Sequence, residues 1–259
     1  MNLALIGGGY WGKNLIRDFN KLEALHTVCD INEEALEEYR EKYPELKTTN
    51  RCEDIIGDED IKGVCIALPA HMHYEYVKKF LLGGKHVYVE KPFTLNVKNA
   101  EELVKLAGEV KKQLMVGHLL QYHPSICVIK DLLKDKDHIG EIKHISTVRQ
   151  SLGIYRTFEN VLWSFGVHDI SVILSLCNDK LPNTVSCSGS SIITEGIHDI
   201  VHCNMDYGDK QITLSVSWLS SEKKQTMTIV GTKGILHFDD VKKEIKLNRN
   251  HIEWEGSIP

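Results

Sequence analysis

Leu3-Ala4-Leu5-Ile6-Gly7-Gly8-Gly9-Tyr10-Trp11-Gly12 opens the chain with a short apolar run that flows straight into glycines. Leu15, Ile16 and Phe19 then recur at helical spacing, so the glycines occupy a strand-to-helix turn. The order Gly7-x-Gly9-x-x-Gly12 suits a dinucleotide pyrophosphate. Gly7 permits the tight turn, Gly9 lets backbone approach the ligand, and Gly12 lets the helix pack closely on the strand. The first N–H groups of the helix and its dipole favour phosphate charge there. Tyr10 and Trp11 lie inside the turn and join the expected cofactor contacts.

Outward from that turn, Thr27 to Cys29 read as a second strand ending at Asp30, 18 residues after Gly12. An acid at this place accepts bonds from the adenosine ribose hydroxyls and repels a 2′-phosphate. Ile31 and Asn32 supply no cation, so NAD is expected rather than NADP. Asn32 can cap the next helix, whose first turn carries Glu33 and Glu34. Gly63 to Leu68 read as a strand ended by Pro69. Val77, Phe80 and Leu81 mark a helix closed by Gly83-Gly84. His86 to Val89, a helix over Val97 to Val110 capped by Asn96, and a strand at Leu114 to Val116 follow. Strands alternating with helices imply a doubly wound parallel sheet, an α/β Rossmann domain over residues 1–120.

Loops at the carboxyl ends of later strands should complete the crevice. Leu68, Pro69, His73, Glu90 and Lys91 are therefore expected cofactor contacts. His71 and His73 have the spacing of a metal pair, but no carboxylate or cysteine reinforces them. A loop facing the nucleotide is the expectation, and no metal is assigned.

Past residue 120 the texture changes. Ser125 to Leu133 and Asp169 to Leu176 read as helices, but period-2 alternation dominates, in Ile145/Thr147, Ile212/Leu214/Val216/Trp218 and Met227/Ile229. Turns fall at Tyr207-Gly208-Asp209 and Gly231-Thr232-Lys233-Gly234. Residues 121–259 are thus expected to form an α+β domain on an open, mostly antiparallel sheet, read as a meander with helices on one face. Further strands are expected at Glu244 to Leu247 and Glu253 to Trp254. His198 and His202 read as two positions on one side of a strand. Trp218, Leu214 and Val216 read as core, and Ser215 and Ser217 as a face that another subunit would cover.

The 259 residues, 42% hydrophobic and 26% charged with a formal net charge of −5, describe a globular protein and argue against a nucleic-acid or anionic-membrane partner. No apolar run is long enough to cross a bilayer, and the N-terminus lacks the basic start of a signal peptide. Seven cysteines without a CxxC pair suit buried free thiols in a reducing cytoplasm.

Gly83-Gly84-Lys85-His86-Val87-Tyr88-Val89-Glu90-Lys91-Pro92 resembles the glucose–fructose oxidoreductase/inositol dehydrogenase/MocA family. The glycine turn, the Pro69 loop, Gly117-His118 and Tyr122-His123-Pro124 stand in that family's order. The resemblance implies a Rossmann domain, then an α+β domain whose open sheet forms a homodimer or homotetramer, with Lys91 between nicotinamide and substrate. Asn160 to Ser171, Tyr10 to Asn14 and Val216 to Leu219 are most similar to the branch that oxidises C3 of UDP-N-acetylglucosamine or its uronic acid, ahead of an amination. Many sugar and inositol dehydrogenases of the family place an aspartate four residues before the catalytic histidine, where this chain has Ser164. Relatives also usually continue beyond the equivalent of Pro259, so a short or shortened member is expected.

Oxidising a secondary alcohol needs a base at the hydroxyl and something that tolerates a developing alkoxide. His168 titrates near neutrality and is the default base. Lys91 suits the alkoxide as a fixed cation and, with a lowered pKa, can also take the proton. Glu90 is expected to orient Lys91 or the nicotinamide ribose, and Asp169 to point away and pair elsewhere. Tyr122, His123, Tyr155 and Arg156, with Lys91 and His168, form the candidate substrate set. The function expected is NAD-dependent oxidation of a sugar or UDP-sugar hydroxyl. A free sugar or inositol-type polyol is the alternative substrate, and a non-catalytic NAD(H)-binding sensor or structural protein is the alternative role.

Overall fold

The computed structural model describes residues 2–153 and 155–249. It divides between Gly117 and His118 into two compact units.

In the first unit, β1 (Asn2–Ile6), β2 (Leu25–Cys29), β3 (Lys47–Thr49), β4 (Ile61–Ile66), β5 (His86–Val89) and β6 (Leu114–Val116) form one sheet. All pairings are parallel, in the order β3-β2-β1-β4-β5-β6. The direction of winding reverses between β1 and β4, which opens a crevice at their carboxyl ends. Helices α1 (Gly12–Lys21), α2 (Glu33–Lys42), α3 (Cys52–Gly57), α4 (His73–Leu82) and α5 (Val97–Glu109) connect the strands. Successive β1 side chains enter different cores. Leu5 packs with Leu15, Ile16, Val28 and Leu36, while Ala4 and Ile6 pack with Val64, Ile66, Phe80 and Leu103. A strand buried on both faces reads as a continuous apolar run, as Leu3 to Ile6 do.

Two expected caps are present: Asn32 accepts from the N–H groups of Glu34 and Ala35, and Asn96 from Lys98. Lys85 is only 5% exposed, and its Nζ donates to the carbonyls of Asp58 (2.6 Å) and Ile61 (2.9 Å). The Gly-Gly-Lys-His stretch thus ties the α3–β4 connection to the start of β5.

The second unit is a seven-stranded sheet with helices α6 (Pro124–Lys134), α7 (Lys136–Ile139) and α8 (Val167–Leu176). Its strands are β7 (Ile142–Leu152), β8 (Thr184–Ser190), β9 (Ile200–Asp206), β10 (Gln211–Ser217), β11 (Leu219–Gly231), β12 (Ile235–Asp239) and β13 (Glu244–Asn248). The order is β13-β12-β11-β7-β10-β9-β8. A plain meander is corrected here: β7 lies between β10 and β11 and pairs parallel with β10. Trp218 alone separates those two strands, and its carbonyl accepts from Gly153 N, so the chain steps across the end of β7 instead of folding back as a hairpin. Alternation along a strand reveals its faces but not its neighbours.

Ile145, Ile212, Leu214, Val216, Trp218 and Ile229 pack with Ile126, Ile129, Val172 and Ile173 on the helical side. The opposite side of the central strands presents Ser146, Val148, Thr213, Ser215, Thr226 and Thr228 in register, small, uncharged and half-buried.

Two further expectations are corrected. Cys187 and Cys203 are not free thiols: they face each other across β8 and β9, Cα atoms 4.2 Å apart, and are disulfide-bonded. Their separation of 16 residues gave no pattern, because only strand register makes them opposite. His198 precedes β9, so it and His202 do not share a strand face. The strand expected at Glu253 to Trp254 lies outside the described residues. No helix among the described residues is long and apolar enough to cross a membrane.

Candidate active site

The crevice is built from backbone first. Gly7 has φ +94°, and a Cβ there would lie 2.8 Å from the Ala67 carbonyl oxygen, at the end of β4. A Cβ on Gly12 would run into the Gly7 carbonyl. Both positions therefore exclude side chains, and the turn stays tight between β1 and α1. Asp30 locks it: Oδ2 accepts from Gly8 N at 2.6 Å and Oδ1 from Asn32 N at 2.8 Å. Tyr39 Oη donates to the Gly8 carbonyl at 2.5 Å.

Gly8, Gly9, Tyr10, Lys13, Asn14, Asp30, Asn32 and Ala35 line the resulting cleft. Tyr10 is 84% exposed at its mouth, and Trp11 is more covered at 37%. Bare backbone, a helix N-terminus and one carboxylate at the end of the second strand are what an adenine dinucleotide requires, so these residues fit NAD. Of this lining, Gly8, Lys13, Asn14, Asn32 and Ala35 were not among the contacts expected from the sequence. Lys13 and Asn14 follow the glycines into α1, and Asn32 and Ala35 open α2, so helical geometry alone brings them round.

Leu68, half-buried, and Pro69, exposed, follow β4. His73, expected at the cofactor, has both ring nitrogens on backbone carbonyls. It is 1% exposed, with Nδ1 2.7 Å from the Pro92 carbonyl and Nε2 2.8 Å from the Leu68 carbonyl. His73 joins the loop after β4 to the loop after β5 from beneath. Burial, opposed by these two carbonyls, holds its pKa below the ordinary histidine value. Glu90 is buried; it accepts from Tyr88 Oη at 2.9 Å and from Lys91 N at 3.3 Å, and thereby fixes the turn that carries Lys91. Lys91 is half-buried.

His168 lies in the second unit, in the first turn of α8 and half-buried. The turn before it, Leu162–Gly166, is π-helical, and Asn160 Oδ1 caps it by accepting from Leu162 N and Trp163 N. A π-turn offsets the usual i,i+4 alignment, so Ser164 and His168 do not stand in ordinary α-helical register. Asp169 is buried and accepts from Arg149 Nε (2.6 Å) and Nη2 (3.2 Å). Tyr122 and Tyr155 are 69% and 54% exposed. Arg156 approaches the buried Glu159 at 3.7 Å. His123 is corrected: its Nδ1 accepts from Ser125 N as the α6 cap, and its Nε2 is 3.4 Å from Asp240, so both nitrogens serve the fold.

Residues 1–118 match the oxidoreductase family with an NAD-binding Rossmann fold, and residues 129–237 match the Gfo/Idh/MocA C-terminal domain. An uncharacterized oxidoreductase of Streptococcus pneumoniae is 24% identical over 94% of this chain and 70% of its own length. A scyllo-inositol 2-dehydrogenase (NADP(+)) of Bacillus subtilis is 26% identical over 73% of this chain, which spans 55% of that protein. In three dimensions the UDP-N-acetylglucosamine 3-dehydrogenase of Acidithiobacillus ferrooxidans shares the fold, with TM-score 0.86 and 21% identity over 100% of this chain and 80% of that one. Together the two matched regions take in most of the sequence, and the chain belongs to the Gfo/Idh/MocA family of NAD-binding oxidoreductases.

Proposed function

We propose that this chain is an NAD-dependent dehydrogenase of a sugar hydroxyl, acting at C3 of a UDP-N-acetylhexosamine or its uronic acid. The observation that carries the proposal is the glycine turn locked by Asp30, with Lys91 on a turn fixed by Glu90 after β5. Bound NAD supplies a hydride acceptor. In this reading the chain supplies a base, His168, for the hydroxyl proton and a cation, Lys91, for the developing negative charge. Tyr122, Tyr155 and Arg156 are assigned to the sugar and its phosphates, and residues 121–259 to substrate and assembly. Support for a UDP-sugar comes from the likeness of fold to the UDP-N-acetylglucosamine 3-dehydrogenase and from the Asn160 to Ser171 stretch.

The inositol dehydrogenase relative favours a second reading, in which a cyclic polyol is the substrate. NADH formation at 340 nm against a panel of UDP-sugars, free sugars and inositols separates the two. Turnover of UDP-N-acetylglucosamine or its uronic acid is expected, and turnover of polyols alone overturns the first reading. His168→Ala and Lys91→Ala are each expected to lower kcat by about 10²- to 10⁴-fold with NADH affinity retained.

The sheet face opposite the helices of the second unit, small and uncharged at its centre, is proposed as a homodimer or homotetramer contact. A cytoplasmic location is proposed on the five cysteines that remain thiols among the described residues, with the Cys187–Cys203 disulfide standing against it.

A further inference from the structure

Cys29 closes β2, one residue before Asp30, and Cys52 opens α3. Their sulfurs are 3.9 Å apart. Cys29 is 4% exposed and Cys52 half-buried, so the pair has one face towards solvent and one in the core, among Ile55, Ile56 and Tyr76. The charged groups around it are Asp30, Glu53, Asp54 and the Lys79 ammonium, which binds Glu53 at 2.7 Å. We propose that Cys29 and Cys52 form a reversible redox modification site, closed to a disulfide by hydrogen peroxide, that weakens the hold of the adjacent Asp30 turn on NAD.

The asymmetry of the pair assigns the roles. The Cys29 hydrogen bond and the Lys79 charge lower the Cys52 pKa against the opposing effect of burial, while the same hydrogen bond and burial raise that of Cys29. Cys52 is therefore the attacking thiolate. Its sulfur bonds to one peroxide oxygen, the O–O bond breaks, and the departing hydroxide takes a proton to become water. Cys29 then attacks the Cys52 sulfenic acid: an S–S bond forms, the S–O bond breaks, and the second oxygen leaves as water with the Cys29 proton. Two thiols lose two electrons and two protons, and one peroxide becomes two waters. A small dithiol reverses the step.

Closure must bring the sulfurs from 3.9 Å to about 2.05 Å. Cys29 is held in β2 by pairing with Ile6 on one side and Thr49 on the other, and its carbonyl accepts from Gly7 N at 2.9 Å. Closure therefore draws the start of α3 towards β2 and strains the Thr49-to-Arg51 turn between them, where Arg51 N donates to Thr49 Oγ1 and Asp30 N donates to the Thr49 carbonyl at 3.2 Å. Contraction is transmitted to the residue that locks the glycine turn.

The coupling rests on the NAD site; the disulfide does not. The full chain is reduced with dithiothreitol, titrated with NADH by fluorescence, treated with stoichiometric hydrogen peroxide, titrated again, and re-reduced. Non-reducing peptide mass mapping follows the cross-links. The expected result is a Cys29–Cys52 linked peptide and a rise of at least fivefold in the Kd of NADH, reversed by dithiothreitol and absent in Cys52→Ser. Oxidation of Cys127 or of the Cys187–Cys203 pair with no Cys29–Cys52 link in the unmutated chain overturns the proposal whatever the variant does. A link that leaves the Kd unchanged overturns the coupling. Failure of the reduced chain to bind NADH counts instead against the cofactor site.

Discussion

Asp30 has two duties at once: it locks the glycine turn through Gly8 and Asn32, and its carboxylate faces the cleft. Charge-assisted bonds of this kind contribute about 1.5–3 kcal/mol each. Asp30→Ser is therefore expected to raise the Kd of NADH at least tenfold and to narrow the gap between NAD and NADP, measured by fluorescence titration with each nucleotide. His73 answers to a different variable. With its folded pKa below the ordinary value of about 6.5, the unfolded chain binds the proton more readily, so stability falls as pH drops below about 6.5. The unfolding temperature of the wild-type chain should fall more between pH 7.5 and 5.5 than that of His73→Gln. Asp30 was legible in the sequence because a turn, a helix and an acid follow one another locally. His73 was not: its partners, Leu68 and Pro92, come from two loops, and nothing in a linear sequence says that a histidine between them is fully covered.

Among elements, most strands and helices of the first unit were legible because each carries a short apolar run with its own cap or glycine; β3 and the short α3 were not, since Lys47-Thr48-Thr49 has no apolar run and Cys52–Gly57 spans too few residues to show a period. The second unit yielded its two longer helices and the strands that alternate clearly, but not α7, β8 or β12, nor its strand order, which depends on the crossing at Trp218. That crossing is anchored by Asp199, 1% exposed, which accepts from Trp218 Nε1 at 2.5 Å and from Ile192 N and Ile193 N at 2.6 and 2.9 Å. Burial pushes its pKa up, but the three donors outweigh it and hold the carboxyl below its ordinary value. Asp199 thus stabilises the fold above about pH 3.9, and the contribution is lost as pH falls through the folded pKa. Asp199→Asn turns one acceptor into a donor facing donors, with an expected cost of about 3 kcal/mol. The urea midpoint, followed by tryptophan fluorescence, checks it. The Cys187–Cys203 bridge was hidden for the same reason as the strand order, since it exists only once β8 and β9 are in register.

At the scale of the whole molecule, the sheet of the second unit has one face under helices and another whose centre is serine, threonine and valine, with His202, His237, Lys224 and Lys246 towards its margins. A face meant for water would carry more charge. Placing an arginine in its middle tests whether a second copy covers it. Ser215→Arg is expected to shift the sedimentation coefficient to that of a single chain, with the far-ultraviolet dichroism unchanged.

The placement of β7 also bears on how the chain is made. Ribosomal synthesis delivers this central strand first, but both of its neighbours lie more than sixty residues downstream. Until the nascent chain has extended past Ser217, eleven residues of strand have two open edges and no native pairing, and one edge stays open until Gly231. Such an interval favours intermolecular β-pairing and chaperone capture. The second unit is therefore the slower and more aggregation-prone half of biogenesis, while the first can complete its sheet as soon as Val116 emerges.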